Sequence, residues 1–227
     1  MSQAPKLVIG NKNYSSWSMR AGLILDHAGI EVTEEIIPLR EEDSSARITA
    51  FSPSGLVPAL LVRDDEGAEQ VIWDSLAICE WAAEQAPDKG LLPANPLTRA
   101  VCRSVAAEMH SGFRALRSER PMNLRMTLKA VPASPDCLAD IARIEAVWED
   151  CRDRFGEGGP FLFGGYTIAD ALYAPVVSRF VTYGVDLGAV AAAYVNAMQA
   201  DGAFVRWAEA AKAETWSIPA LDRDWNA

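Results

Sequence analysis

The sequence predicts a small α/β domain followed by an all-helical domain, with a short linker between them. Strand and helix patterns alternate through the first 86 residues, whereas only helical periodicity is present after residue 95. The stretch between them, "PDKGLLPANP", contains three prolines and a glycine and interrupts both periodicities. We therefore predict an N-terminal domain over residues 1–86, a linker over 87–95 and a C-terminal domain over 96–227.

The N-terminal domain is predicted from two groups of elements. "KLVIG" has a strand pattern, residues 16–28 have apolar side chains at helical spacing, and "EVTEEIIPL" has a second strand pattern. After an irregular stretch, "VPALLVRDD" and "EQVIWD" predict two strands joined by a turn around residues 64–67. "SLAICEWAAEQA" then predicts a helix, so the expected order is βαβ followed by ββα.

The C-terminal domain is predicted to be entirely helical. Asn95 and Pro96 are favoured at a helix start, and the apolar stripe after them predicts one helix that runs past residue 115. A second stripe predicts another helix, and residues 167–182, 188–200 and 202–214 predict three more, the first opened by a Thr167–Asp170 capping box. The two stripes consist of Leu97, Val101, Val105, Met109, Phe113 and Leu116, then Leu138, Ile141, Ile144, Trp148, Cys151 and Phe155.

Composition and charge exclude several classes of function. The formal net charge of −10 disfavours a polyanionic partner, so we predict no nucleic acid. No apolar run approaches the roughly 18 residues of a membrane span and no signal peptide precedes the first strand, which predicts a cytoplasmic protein without a membrane partner. The four cysteines form no CxxC pair and are predicted to be reduced core residues. The two histidines have no partners at ligand spacing, so we predict no metal.

Four stretches of the chain carry a family resemblance. In order they are "SSWSMRAGLIL", "SPSGLVPALLV", "DSLAICEW" and "FLFGGYTIADALYAPVV". Together they resemble the cytosolic glutathione S-transferase family, and specifically bacterial, serine-type members similar to the zeta and tau classes. The resemblance implies the glutathione transferase fold, an α/β thioredoxin-like N-terminal domain and an all-α C-terminal domain. It also implies that the first domain binds glutathione as a co-substrate.

Ser15 matches the catalytic serine of the resembled classes, as judged by its spacing from Gly29. Lowering the pKa of a thiol by about 2 units needs about 2.7 kcal/mol of preference for the thiolate. One hydrogen bond to a charged group contributes about 1.5–3 kcal/mol and a helix N-terminus about 0.3–1 kcal/mol. The resemblance therefore implies that Ser15 is catalytic and donates to the glutathione sulfur. A serine at this position otherwise serves as an N-cap.

The two residues after Ser15 bear on the same site. Ser16 either assists glutathione binding through its hydroxyl or backbone N–H, or only caps the helix. Trp17 stands where zeta enzymes carry a cysteine and where the beta class places its own. This departure removes thiol–disulfide chemistry at the position. It argues against carrying over the isomerase activity of the zeta class or a thiol-transferase role like that of the omega class, and it makes Trp17 a candidate wall of the acceptor pocket.

Two further motifs are implied to bind glutathione. In "GLVPALL" the resemblance implies a cis bond between Val57 and Pro58, with the Val57 backbone paired to the cysteinyl backbone of glutathione. The alternative is an ordinary trans proline at a strand start. In "DSLAICEW" a helix begins at Asp74 and Ser75, and its N-terminus attracts anions. Ser75 suits the γ-glutamyl carboxylate and Asp74 the ammonium group, or both residues only cap the helix.

The glycine end of glutathione has a less defined site. Leu56 stands where the zeta class has a polar residue that touches the ligand, which leaves Arg40 or Lys12 as candidates for the glycine carboxylate. The loop "GFRALRSERPMNLRM" corresponds to a region that faces the acceptor pocket in the resembled fold. Its candidate residues are Phe113, Arg114, Arg117, Met122, Asn123 and Arg125.

The resulting functional prediction is a glutathione S-transferase that adds the thiolate of glutathione to a small hydrophobic electrophile. One alternative is a glutathione-dependent isomerase or peroxidase, because all of these reactions share the thiolate. Another is a non-catalytic binding or regulatory protein of the same fold. We also predict a homodimer, in which Ala100, Cys102 and Ala107 lie off the main apolar stripe and contact the partner.

Overall fold

The computed structural model describes residues 4–129 and 131–222. A small domain of four strands and three helices precedes six further helices in the described residues. The elements are β1 Lys6–Ile9, α1 Ser16–Ala28, β2 Thr33–Ile36, α2 Ser44–Thr49, β3 Ala59–Arg63, β4 Glu69–Ile72, α3 Ser75–Gln85, α4 Pro96–Ser111, α5 Arg114–Glu119, α6 Pro135–Phe155, α7 Ile168–Thr182, α8 Ala189–Ala200 and α9 Gly202–Ala213.

The four strands form one mixed sheet in the order β2-β1-β3-β4. β1 pairs in parallel with β2, as a βαβ unit requires, and β3 pairs antiparallel with both β1 and β4. α1 and α3 pack against each other, and their apolar side chains join the main core with Leu7 and Ile9 of β1. Val8 belongs to a second core cluster with Ile48 of α2. The predicted α/β thioredoxin-like domain is confirmed.

The bounds of α1 follow from its two caps. Ser15 lies in extended backbone before the helix, and Gly29 ends it in the left-handed conformation at φ 71°. This span agrees with the predicted helix over 16–28. α2, by contrast, lies within the stretch expected to be irregular. Its six residues are too few for helical periodicity to be read from the sequence, although Ile48 anchors it under the sheet.

The helical domain departs from the prediction in one place. α4 ends at Ser111 and does not run past residue 115, because Phe113 adopts a left-handed backbone at φ 57° and a separate helix, α5, follows. Phe113 and Leu116 nevertheless remain in the core, so the apolar spacing continues across the break. Leu97 and Leu138 are 79% and 56% exposed, since each lies in the first turn of its helix and outside the packed stripe.

The two domains share one core through α1. α1 packs against α7 and α9, and Gly22 allows the closest approach. A Cβ added at Gly22 would lie 2.1 Å from the ring of Trp207 on α9, which leaves no room for a side chain. His27 near the end of α1 bonds Asp201, the N-cap of α9, with 3.1 Å between His27 Nε2 and Asp201 Oδ2. α1 is therefore fixed from both sides, and so is the site at its N-terminus.

The four cysteines are free and buried, as predicted for core residues. Cys102 lies in the core of its own chain, so the expectation that it contacts a dimer partner is wrong; Ala100 and Ala107 are exposed. No helix in the described part of the chain is long and apolar enough to cross a membrane. Within residues 4–129 and 131–222, no three metal-ligating side chains cluster.

The capping box of α7 is formed and buried. Asp170 accepts hydrogen bonds from the Thr167 backbone N–H and hydroxyl, both at 2.8 Å, and from the N–H of Leu162 and the hydroxyl of Tyr194. Burial raises the pKa of Asp170, which these hydrogen bonds oppose. The hydrogen bonds of the box therefore offset the cost of burying the Asp170 carboxyl group at the start of α7.

We expect Thr167→Ala to lower the free energy of unfolding by about 1–2 kcal/mol, because it removes the cap and one donor to Asp170. Urea denaturation measures the change. Thr127→Ala is the matched control, since Thr127 is exposed and lies outside the helices, and we expect a change within about 0.5 kcal/mol there. Equal stability of the two variants would contradict the role of the box.

Candidate active site

The first part of the site is the loop between β1 and α1. Gly10 follows β1, and a Cβ added there would lie 2.7–2.9 Å from Leu39, so glycine lets the two segments approach closely. The loop then turns, with the Ser15 N–H donating to the Asn11 carbonyl at 2.8 Å. Ser15 is thereby placed as the N-cap of α1, at the positive end of the helix dipole.

Three serines lie at this helix N-terminus, and all three are buried. The hydroxyl oxygens of Ser15 and Ser18 are 2.7 Å apart, and the Ser18 N–H donates to Ser15 Oγ at 3.3 Å. The Gly10 N–H donates to Ser18 Oγ at 3.0 Å. From the sequence, Ser15 and Ser16 were site candidates, whereas Ser18 was given no role beyond the helix cap. The available signal was its i,i+3 spacing from the N-cap, which brings the two side chains together.

Residues 214–222 of the C-terminal segment form hydrogen bonds with the loop between β1 and α1. The Tyr14 hydroxyl donates to Asp222 at 2.6 Å and accepts from Arg125 at 2.6 Å. The Glu214 carboxylate accepts from the backbone N–H groups of residues 12 and 13, at 2.6 and 3.1 Å. The hydroxyl of Tyr14 is thus committed to this network. These contacts join positions about 200 residues apart, which no local pattern in the sequence reveals.

The second part of the site consists of the residues just before β3 and those at the start of α3. The Val57–Pro58 peptide bond is cis, as the resemblance implies. Asp74 is the N-cap of α3 and accepts from the Leu76 N–H at 2.8 Å. Ser75 is the first residue of that helix and is fully buried, yet its hydroxyl has no hydrogen-bond partner among the described residues. A buried hydroxyl without a partner at a helix N-terminus is suited to bind an anion.

Asp74 also contacts the second domain. Its carboxylate pairs with Nε2 of His110 on α4 at 3.0 Å. Burial lowers the pKa of His110, against the attraction of Asp74 and with the repulsion of Arg20 and Arg117. His110 is therefore a hydrogen-bonded helix residue. The carboxylate predicted to meet the γ-glutamyl ammonium group is already engaged across the domain boundary.

The ring of Trp17 contacts two guanidinium groups and one imidazole. Arg20 Cζ lies 4.3 Å and Arg117 Cζ 4.8 Å from the ring centroid. The ring of His110 packs edge-on at 5.0 Å. Such cation–π contacts are strongest with tryptophan, so Trp17 holds both arginines in place.

A cavity of about 450 Å³ opens beside Trp17 and carries positive charge. Burial, then the charge of Arg117, lowers the pKa of Arg179 to about 10, and burial with the charges of Arg179 and Arg117 lowers that of Arg20 to about 9. Mutual repulsion of this kind favours an anionic ligand. The cavity is lined by Ser16, Trp17, Ser111, Arg114, Arg117, Ser118 and Arg179.

The lining of this cavity confirms part of the prediction for the loop "GFRALRSERPMNLRM" and contradicts the rest. Arg114 and Arg117 line it as predicted, whereas Phe113 and Met122 are buried in the core. Asn123 and Arg125 bond the C-terminal segment instead, to Asp222 at 2.8 Å and to the Glu214 carbonyl at 2.9 Å respectively. The loop contributes charge to the cavity, and its apolar residues turn inward.

The candidates for the glycine carboxylate differ in their surroundings. Lys12 is paired with Glu34 at 2.6 Å and lies over the ring of Trp207. Arg40 is exposed and adopts a left-handed backbone at φ 66°. Leu56 is 68% exposed at the turn before the cis bond. Neither residue is among those that line the cavity beside the serines of α1.

A thioredoxin-like domain with a serine-capped first helix, packed against an all-helical domain, defines the glutathione transferase fold. Residues 14–85 match the family model of the glutathione S-transferase N-terminal domain, and residues 105–212 match that of its C-terminal domain. The chain belongs to the glutathione S-transferase family.

Several of the proteins that this chain resembles are isomerases by name. The chain is 31% identical to a maleylacetoacetate isomerase of Emericella nidulans over 77% of its own length and 78% of that protein. It is 31% identical to a probable maleylacetoacetate isomerase of Caenorhabditis elegans, where the match spans only 54% of each chain. A zeta-class bacterial maleylpyruvate isomerase superposes with a TM-score of 0.70 at 26% identity, over 93% of this chain and all of the other.

Proposed function

We propose that this protein is a glutathione-dependent isomerase of a small unsaturated carboxylic acid of the maleyl type. The observation that carries the proposal is the arginine-lined cavity beside the serines of α1. A hydrophobic electrophile, as first expected from the sequence, gains little from Arg114, Arg117 and Arg179, whereas a carboxylate pairs with them through charge-assisted hydrogen bonds. The names of the similar proteins support the same choice of substrate.

Residues of the first domain are suited to bind each part of glutathione. The partnerless Ser75 hydroxyl and the N-terminus of α3 suit the γ-glutamyl carboxylate. Asp74, 50% exposed at its side chain, suits the ammonium group while it keeps its bond to His110. The Val57 backbone lies beside the cis Pro58, where an extended peptide pairs with the sheet edge. Ser15 lies at the N-terminus of α1 as donor to the sulfur.

The residues of the chain then have separate tasks. Bound glutathione supplies a thiolate that adds to the conjugated double bond and leaves again after rotation, so it is regenerated and no oxidant or reductant is needed. Ser15 and the N-terminus of α1 stabilise the anionic sulfur before addition and after departure. Arg117 and Arg179 hold the acceptor carboxylate and stabilise the negative charge that develops on its conjugated carbonyl group.

A second candidate is the transfer of glutathione to a small electrophile, the family-level activity. Trp17 favours it, since its ring gives the cavity one apolar wall. The two candidates share the glutathione site and differ in whether the thioether product is released. Homodimer formation, through a surface that includes the exposed Ala100 and Ala107, and a cytoplasmic location stay predictions.

The test is to incubate the enzyme with maleylpyruvate, with and without glutathione, and to quantify both the acid and the thiol. We expect conversion of the cis acid to the trans acid only when glutathione is present, with the total thiol unchanged. Accumulation of a thioether with loss of thiol would favour the transferase. Failure of the acid to react under both conditions, while a neutral electrophile also fails, would leave a binding protein of this fold.

A further inference from the structure

Ser18 is the third residue of α1 and has no exposed surface. Its hydroxyl oxygen accepts from the Gly10 N–H at 3.0 Å and lies 2.7 Å from the hydroxyl oxygen of Ser15. A serine within the first turn of a helix is usually a solvated or back-bonded residue. Here the side chain instead bridges the end of β1 and the candidate catalytic hydroxyl.

The two hydroxyls have one proton each, and this limits how they are arranged. Ser18 Oγ already accepts the N–H of Gly10, and either hydroxyl is able to donate across the 2.7 Å contact. If Ser15 donates to Ser18, its proton is not available for a ligand. If Ser18 donates to Ser15, the Ser15 proton is free, and an anionic ligand selects this second arrangement because only it provides a donor.

We propose that Ser18 is a positioning residue that directs the Ser15 proton toward the sulfur of glutathione. The relay runs from the Gly10 N–H to Ser18 Oγ, from the Ser18 hydroxyl to Ser15 Oγ, and from the Ser15 hydroxyl to the thiolate. Each donor in such a chain polarises the next and strengthens its hydrogen bond. The inference rests on the proposed function, because it requires glutathione with its sulfur at Ser15.

The relay is distinguishable from a purely structural role. If Ser18 only satisfied the Gly10 N–H, its removal would disturb the loop whether or not Ser15 had a hydroxyl. If Ser18 acts through Ser15, its removal has no effect on the thiol once the Ser15 hydroxyl is gone. A double-mutant cycle separates these cases, since coupling between two groups appears as non-additivity.

The experiment titrates the thiolate absorbance of enzyme-bound glutathione against pH in the wild type, Ser18→Ala, Ser15→Ala and the double variant. We expect Ser18→Ala to raise the thiol pKa by about 0.4–1 unit, the size of one hydrogen bond. We expect no further rise when Ser18→Ala is added to Ser15→Ala. Ser18→Thr, which keeps the hydroxyl, restores the wild-type value, and Ser104→Ala, at an exposed helix serine, leaves it unchanged.

The possible outcomes separate this inference from the function on which it rests. A shift in Ser15→Ala with none in Ser18→Ala would overturn the relay and leave the glutathione site intact. A Ser18 effect of equal size in both backgrounds would also overturn it, because the role would then be structural. An unperturbed thiol pKa in the wild type would overturn both. If Ser18→Ala does not fold, Ser18→Cys carries the test with a similar size and a weaker donor.

Discussion

Replacing Ser15 by alanine is expected to raise the thiol pKa of bound glutathione by about 1–2 units, the loss of one hydrogen bond to a charged group. At neutral pH the thiolate fraction and the turnover then fall by about 3–25-fold, because most of the wild-type thiol is already ionised. The fold should persist, because Gly29 and the packing of α1 against α3, α7 and α9 are unaffected. The variant loses stabilisation of the charged thiolate and not of the neutral thiol. The thiol pKa therefore rises, and the pH–rate profile moves to higher pH.

Tyr14→Phe is the comparison variant for Ser15. The Tyr14 hydroxyl is bonded to Asp222 and Arg125 and faces the C-terminal segment, so its removal leaves the thiol titration unchanged and lowers the stability of the loop. An unchanged titration in Ser15→Ala would contradict the catalytic role of Ser15. It would then assign the donor role to Ser16, because the Tyr14 hydroxyl is already bonded to Asp222 and Arg125.

Arg117→Met is expected to raise the KM for maleylpyruvate by about 10–100-fold, because it removes a charge-assisted hydrogen bond to the acceptor carboxylate. The turnover of a neutral acceptor such as chlorodinitrobenzene should change little, since Arg117 makes no contact that such a molecule needs. The guanidinium group of Arg117 is held by Trp17 and by a long 3.4 Å bond to the Gly112 carbonyl, so its removal costs little structure.

Steady-state kinetics with the two acceptors measure this selectivity. Arg206→Met is the control, because Arg206 pairs with Asp26 on the surface and does not line the cavity. Equal loss with the charged and the neutral acceptor in Arg117→Met would contradict a carboxylate-binding role and indicate a general effect on the cavity.

The parts of the fold that follow from local chemistry were predictable from the sequence. The caps of α1, the turn between β3 and β4 and the Thr167–Asp170 box are each determined by residues within a few positions of one another. The end of α4 was not predictable, because the apolar spacing continues through Phe113 although the backbone of that residue is left-handed. α2 is too short for its periodicity to be detected.

The candidate site likewise contains residues that local sequence patterns predict and contacts that they do not. Ser15, Val57, Asp74 and Ser75 were predicted as site residues because each lies at an element boundary with a recognisable pattern, and their roles stay predictions. The hydroxyl contact of Ser18, the Asp74–His110 pair and the hold of Glu214 on the loop depend on tertiary approach, which sequence spacing alone does not encode. The positive charge of the cavity beside Trp17 was also not predicted, for a related reason.

That reason concerns Arg179. It lies on α7, 62 positions after Arg117, and only the packed helical domain brings both side chains to one cavity. Viewed singly in the sequence, each arginine is typical of a solvated helix face, and the apolar neighbours of Arg117 favoured a hydrophobic pocket. A cluster of like charges is costly to bury, and a ligand of opposite charge would offset that cost, which is the basis of the proposed acidic substrate.

A crystal structure of the protein with glutathione tests the central claim most directly. The account predicts the sulfur within hydrogen-bond distance of Ser15 Oγ, the γ-glutamyl carboxylate at Ser75 and the cysteinyl backbone paired with Val57. Glutathione bound outside this cleft, a sulfur directed away from Ser15, or no binding at millimolar concentration would contradict it.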